Sequence, residues 1–111
     1  MAKKRRIPVK SFETNKAFQD FIDIEKDWMY SRIIEAITEA YDLSQDYADV
    51  MEAKITESMS IISMKSDRSE WTISLNLALK WYESEERYED CAKLVKLIST
   101  IKNSDSGVFL D

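Results

Sequence analysis

The sequence predicts an all-α protein, a single-domain bundle of about four helices. Among its 111 residues, the only proline is Pro8 and the only glycine is Gly107, so 98 consecutive residues contain neither. Strands joined by tight turns usually need glycine at those turns, whereas short connections between helices do not. Apolar residues also recur at spacings of three and four along most of the chain, which is typical of amphipathic helices.

The first predicted helix covers residues 15–41 and follows a flexible basic arm at residues 1–12. One stripe of apolar side chains supports this helix: Phe18, Phe21, Ile22, Trp28, Met29, Ile33, Ala36, Ile37, Ala40 and Tyr41. Polar residues cluster at positions 23–27, and we expect the helix to bend there.

The second predicted helix covers residues 45–64, with Ser44 as its N-cap. Six apolar residues fit helical spacing in this segment: Tyr47, Val50, Met51, Ile55, Met59 and Ile62. Residues 58–65 remain ambiguous, because their serines and β-branched side chains also fit a short strand. No second strand is evident that would pair with it.

The third and fourth helices are predicted at residues 68–83 and 85–102. Asp67 and Glu70 have the spacing of a capping box before the third helix, and Ser84 can cap the fourth. The fourth helix carries acids in its first turn and lysines toward its end, which is the order that the helix dipole favours. The helical domain then spans residues 13–103, and residues 104–111 form a short apolar tail.

Charge is distributed unevenly along the chain. The first ten residues hold five basic side chains and no acid, whereas the rest has 11 Lys and Arg against 21 Asp and Glu. An acidic body repels nucleic acid phosphates. A weak contact with nucleic acid or another anion is therefore expected only through the arm, at Lys3, Lys4, Arg5 and Arg6.

The residue types indicate a protein without a catalytic, cofactor or metal site. The chain has no histidine and only one cysteine, Cys91, so the common general base and the usual zinc ligand sets are missing. Glu85, Glu86 and Glu89 resemble the first carboxylate motif of the all-α nucleoside triphosphate pyrophosphatases, which bind magnesium, but the second motif is missing. A magnesium-dependent nucleotide hydrolase stays an alternative, and a solvated acidic face is the favoured interpretation.

Residues 75–98 resemble the helical hairpin of a tetratricopeptide repeat. Tyr82, Tyr88 and Cys91 follow the spacing of that repeat, and Val95 stands where the repeat has a bulky residue. The usual Gly-Asp turn and the closing proline are missing, and no second copy follows. The resemblance implies a packed helical hairpin, and one repeat cannot build the peptide-binding groove of this family.

These observations favour a small acidic non-catalytic protein-interaction module, an adaptor or regulator such as a phage-type accessory or host-factor-binding protein. The candidate binding residues are Trp71, Trp81, Tyr82, Tyr88, Phe109 and Leu110. Self-association into a homodimer through the same helices is an alternative. With a single cysteine and no apolar run near 20 residues, we expect a cytoplasmic protein without membrane contact.

Overall fold

The fold is α+β, so the predicted all-α class is wrong. The computed structural model describes the backbone of residues 7–107 and the side chains of residues 7–105. Its elements, in chain order, are β1 (Val9–Phe12), α1 (Asn15–Ile24), α2 (Lys26–Asp42), β2 (Tyr47–Ile55), β3 (Ser60–Asp67), a short 3-10 helix (Arg68–Glu70), α3 (Trp71–Ser84) and α4 (Tyr88–Gly107). The strands form one mixed sheet in the order β1-β2-β3, with β1 parallel and β3 antiparallel to β2.

The helix predicted at residues 45–64 is instead the hairpin of β2 and β3. Strand β2 has a bulge between Asp49 and Met51, and this irregularity buries the consecutive residues Val50 and Met51. A bulge interrupts the two-residue alternation of a strand. The buried positions therefore imitate the spacings of three and four that indicate a helix. Of the ambiguous residues 58–65, the last six lie in β3, and Ser58 and Met59 lie in the β2–β3 turn.

Three residues other than glycine adopt the left-handed backbone conformation that glycine adopts most easily. Ser44 before β2, Met59 in the β2–β3 turn and Glu86 between α3 and α4 have φ angles of 57°, 54° and 57°. This left-handed region costs a residue with a Cβ roughly 1–2 kcal/mol. The cost is small enough for packing to offset, so the scarcity of glycine did not exclude a sheet.

The chain before the first helix contributes a strand. Residues 9–12, which were assigned to the flexible arm, pair in parallel with residues 52–55 of β2. The side chain of Lys10 lies over the rings of Phe21 and Trp28, at 5.5 Å and 4.9 Å from their centroids. Thr14 caps α1 by accepting a hydrogen bond from the amide of Ala17 at 3.1 Å.

The predicted first helix is divided into α1 and α2 at Glu25, within the polar stretch where a bend was expected. Helix α2 packs on the sheet, chiefly against β2. Arg32 fixes this contact, because its guanidinium donates to the carbonyls of Val50 at 3.0 Å and Asp49 at 3.2 Å. These carbonyls flank the bulge, so an α2 side chain satisfies backbone groups that the irregular ladder leaves open.

Helices α2, α3 and α4 form a second layer. At one end, Arg87 before α4 forms an ion pair with Asp27 at the start of α2. At the other end, Arg68 before α3 pairs with Asp105 near the end of α4, at 3.0 Å. Helix α4 therefore runs in the same direction as α2, and α3 runs antiparallel to both. Trp71 and Leu75 of α3 are fully buried in the shared core.

None of the helices in residues 7–107 is long and apolar enough to cross a membrane.

Candidate protein-binding groove

A groove of about 550 Å³ lies between α2 and α4. We call it the α2/α4 groove. Its lining residues come from both helices and from the end of α3: Ser31, Ile34, Thr38, Tyr82, Arg87, Asp90, Lys93, Leu94, Lys96, Leu97 and Thr100. At about 1.5 Å per residue, the contributing length is roughly 10 Å on α2 and 15 Å on α4. These two lengths correspond to about two to three turns of a bound helix.

Apolar side chains form the floor of the groove. Ile34 on α2 and Leu97 on α4 line the groove and pack against the hydrophobic core, to which the third lining residue, Leu94, belongs. The hydroxyls of Thr38 and Thr100 donate to backbone carbonyls of their own helices, at 2.8 Å and 2.9 Å. Because both hydroxyls already donate within their own helices, Thr38 and Thr100 bring no unsatisfied donor to the groove.

Arg87 closes one end of the groove. Its guanidinium lies 4.4 Å from the centroid of the Tyr82 ring and forms ion pairs with Asp27 and Asp90, the latter at 2.9 Å. Loss of hydration acts to lower the pKa of Arg87, but the hydrogen bonds to Asp27 and Asp90 outweigh it and raise the pKa. Arg87 therefore ties the beginnings of α2 and α4 to the end of α3.

Arg68 holds the opposite ends of the helices. Its guanidinium lies over the rings of Tyr41 and Trp71, at 5.7 Å and 5.1 Å, and also donates to Asp105. Its backbone amide donates to the carbonyl of Asp46 at 2.8 Å. Two arginines thus fix the spacing of α2 and α4, and the groove is a consequence of that spacing.

The rim of the groove on α4 is basic. Lys93 and Lys96 are exposed, and within the described chain neither forms an ion pair. Among the described lining residues Asp90 is the only acid, and it is already paired with Arg87. On a chain with 21 acids and 16 bases, this places unpaired positive charge beside an apolar floor.

The structure separates the predicted binding residues into different environments. Trp71 and Tyr82 belong to the core, with 0% and 4% of their surface exposed. Trp81 is half-buried beside Tyr30, and its indole Nε1 is buried without a hydrogen-bond partner within the described chain. Tyr88 is 68% exposed at the start of α4. Of these four residues, only Tyr82 lines the groove.

Phe109 and Leu110 of the tail lie outside the described residues. The same holds for Lys3, Lys4, Arg5 and Arg6 of the arm.

Other exposed apolar residues lie outside the groove. Ile73 and Leu77 are one turn apart on α3, and Tyr88 and Val95 are two turns apart on α4. Neither pair is part of a described cavity. Single exposed apolar residues are common on protein surfaces and need no partner to explain them.

The carboxylates considered for magnesium are exposed at the α3–α4 turn. Glu85 and Glu86 lie in that turn, and Glu89 lies in the first turn of α4. Within the described part of the chain, no group of three residues is arranged to hold a metal ion. Burial, together with the charges of Glu83 and Asp90, raises the pKa of the Cys91 thiol, which lowers its thiolate fraction at neutral pH.

The sequence patterns missed the groove residues Ile34, Lys93 and Lys96. Leu94 and Leu97 are apolar residues of α4, but nothing in the sequence shows that they face α2. An exposed lysine on a helix does not by itself indicate a binding site. Lys93 and Lys96 become candidate contacts only because α2 lies across the groove from them.

No known protein family, curated protein or solved structure matches this chain. The groove is therefore interpreted from its own geometry and charge.

Tyr82 makes the stability of the helical layer sensitive to alkaline pH. Burial raises its pKa above the ordinary value of 10.0, against the lowering effect of Arg87, and the charges of Asp27 and Asp90 raise it further. The unfolded chain therefore loses this proton before the folded chain does. The resulting stabilisation is complete below pH 10 and is lost as the pH rises through the folded-state pKa.

We expect the urea midpoint to fall as the pH rises above 10, and to fall less in the Tyr82→Phe variant. Tyr88→Phe is the matched control, because it removes the same hydroxyl from an exposed tyrosine at the start of α4. Equal pH dependence in Tyr82→Phe and the wild type would contradict the assignment.

Proposed function

We propose that this chain is a small non-catalytic protein-interaction module, an adaptor or regulator whose α2/α4 groove binds an amphipathic segment of another protein. The observation that carries the proposal is the combination of an apolar floor with an unpaired basic rim. We propose further that the occupant is a helix with apolar residues on one face and acidic residues beside them.

The shape of the groove supports a helical occupant. Two roughly parallel helices whose spacing is held at both ends leave a channel in which a further helix can complete a four-helix arrangement. Such a helix would present apolar residues at spacings of three, four and seven to Ile34, Leu94 and Leu97. Burial of two or three apolar side chains of the bound helix in the groove supplies roughly 1.5–3 kcal/mol each, before the costs of association are subtracted.

The rim charges support an acidic flank on the occupant. Lys93 and Lys96 would face glutamates or aspartates one turn apart on the bound helix. Contacts of this kind add modest affinity and mainly select among partners and speed association. A basic helix would place like charges together and leave them partly desolvated, which disfavours its binding.

Two synthetic helical peptides test this proposal. Both have the same leucine face, and one carries glutamates beside it whereas the other carries lysines. We expect the wild-type chain to bind the glutamate peptide, and the Lys93→Glu, Lys96→Glu double variant to bind it about tenfold more weakly. Isothermal titration calorimetry measures both affinities.

The matched control is the Lys80→Glu, Lys102→Glu double variant. Both lysines are exposed and lie outside the groove, so the net charge changes equally while the rim stays intact. Affinity near that of the wild type is expected for this control. An equal loss in both double variants would attribute the effect to net charge and would contradict a specific groove.

A further inference from the structure

The β3 strand forms one edge of the sheet. In the order β1-β2-β3, the eight residues of β3 pair with β2 on one side only within the described chain. An edge strand presents a row of backbone donors and acceptors that another strand can bind. Helices α1 and α2 pack over β1 and β2, so the helix-facing side chains Ile62 and Met64 of β3 are only half-buried.

The two edges of the sheet differ in their protection against such pairing. At the β1 edge, the strand has four residues, follows Pro8 and carries Lys10, and shortness, proline and charge all discourage pairing. The five residues from Ser60 to Met64 at the β3 edge include no charge and no proline. Ile61 on the open face of this edge is 63% exposed. The β3 edge is thus less protected than the β1 edge, and its charged residues Lys65 and Asp67 lie only at its end.

We propose that two copies of this chain associate through their β3 edges into one continuous six-stranded sheet. A two-fold axis perpendicular to the sheet makes the two β3 strands antiparallel and keeps the helices of both copies on the same face. Directly opposite residues in an antiparallel pair point to the same face. The axis must therefore pass through a residue position, so that helix-facing residues meet helix-facing residues.

Self-complementarity favours an axis at Ser63, because an axis at Ile62 would place Met64 opposite Ser60 and leave it without an apolar partner. With this register, Ile62 of each copy lies opposite Met64 of the other copy. The dimer therefore contains two such pairs of half-buried apolar side chains, one on each side of the axis. On the open face, Ile61 lies opposite Lys65 of the second copy, and no like charges meet. An axis at Met64 would instead put Ile61 opposite Asp67, and an axis at Lys65 would put two lysines together, which is destabilising.

Sedimentation velocity over a range of concentrations tests the association. We expect the wild-type chain to dimerise and Ser63→Lys to raise the dimer dissociation constant at least about tenfold, because its two lysines would be directly opposed. Ser58→Lys is the matched control, since Ser58 lies in the β2–β3 turn outside the paired residues. Circular dichroism establishes that both variants keep the monomer fold.

Disulfide cross-linking tests the register. In a Cys91→Ala background, which removes the only cysteine, Ser63→Cys places two thiols across the axis at a separation compatible with a disulfide. We expect it to form a covalent dimer on mild oxidation far faster than Ser99→Cys, an exposed position on α4. A wild-type chain that stays monomeric at all concentrations would overturn the proposal. Dimerisation unaffected by Ser63→Lys, or equal cross-linking at positions 63 and 99, would also overturn it.

Discussion

Replacing Trp71 by alanine is expected to lower the free energy of unfolding by about 3–5 kcal/mol. Trp71 is 0% exposed at the junction of the sheet and the helical layer, and its indole Nε1 donates to the carbonyl of Ser66 at 3.0 Å. The substitution leaves a large cavity and removes the donor of a buried carbonyl. Urea unfolding followed by circular dichroism measures the loss.

Two further variants separate the cavity from the hydrogen bond. Trp71→Phe keeps most of the ring volume but loses the donor to Ser66, so we expect a smaller loss, of about 1–3 kcal/mol. This variant also remains informative if Trp71→Ala is largely unfolded. Tyr88→Ala serves as an exposed aromatic control with an expected change near 0.5 kcal/mol or less. A loss in Trp71→Ala no larger than in Tyr88→Ala would contradict the position of Trp71 in the core.

Replacing Arg32 by methionine is expected to lower the free energy of unfolding by about 2–3 kcal/mol. The methionine keeps much of the apolar stem, but the carbonyls of Asp49 and Val50 lose the guanidinium donors that bind them at the bulge. A buried acceptor deprived of its donor retains its full desolvation cost. Chemical denaturation gives the difference in stability.

Arg32→Lys and Glu35→Gln show which contact of Arg32 matters. Lysine lacks the planar fork that reaches both carbonyls, so Arg32→Lys should recover only part of the loss. Arg32 also forms an ion pair with Glu35, which is 72% exposed, and Glu35→Gln should cost less than about 0.5 kcal/mol. If Glu35→Gln were as costly as Arg32→Met, the surface ion pair and not the bulge would explain the role of Arg32.

The bulge at Asp49 to Met51 also explains why the sequence misidentified β2. A regular strand would bury every second residue, and the pattern of β2 does so from Met51 through Ala53 to Ile55. The additional buried Val50 shifts the alternation by one residue. Periodicity averaged over the segment then fits a helix, and only the tertiary partner Arg32 reveals the bulge.

Glycine scarcity was a misleading signal for a related reason. Ser44, Met59 and Glu86 adopt left-handed backbone angles where glycine is the usual residue. Serine, methionine and glutamate do not favour left-handed turns, so their presence does not mark such a turn in the sequence. Local backbone preference does not decide these turns, because the cost of roughly 1–2 kcal/mol per residue is small enough for tertiary packing to offset.

The helical segments were more predictable because their apolar periodicity is undisturbed. The break between α1 and α2 at Glu25 lies inside the polar cluster at residues 23–27, where a bend was expected. Asp67 occupies a capping position, where its carboxylate accepts a hydrogen bond from the amide of Ser69. The binding site was less predictable. Aromatic residues such as Trp71 were chosen as contacts, yet large aromatics in a small domain are needed for its core. The groove depends on which faces of α2 and α4 approach each other.

The most direct test of the α2/α4 groove as the binding site is a reciprocal charge swap, measured by calorimetric titration with the two peptides. The wild-type chain is predicted to prefer the glutamate-flanked peptide, and the Lys93→Glu, Lys96→Glu variant is predicted to prefer the lysine-flanked peptide. Such a reversal requires the peptide flank and these two side chains to be close together. Retention of the glutamate preference in the double variant, or no binding of either peptide to the wild-type chain, would contradict the proposed function.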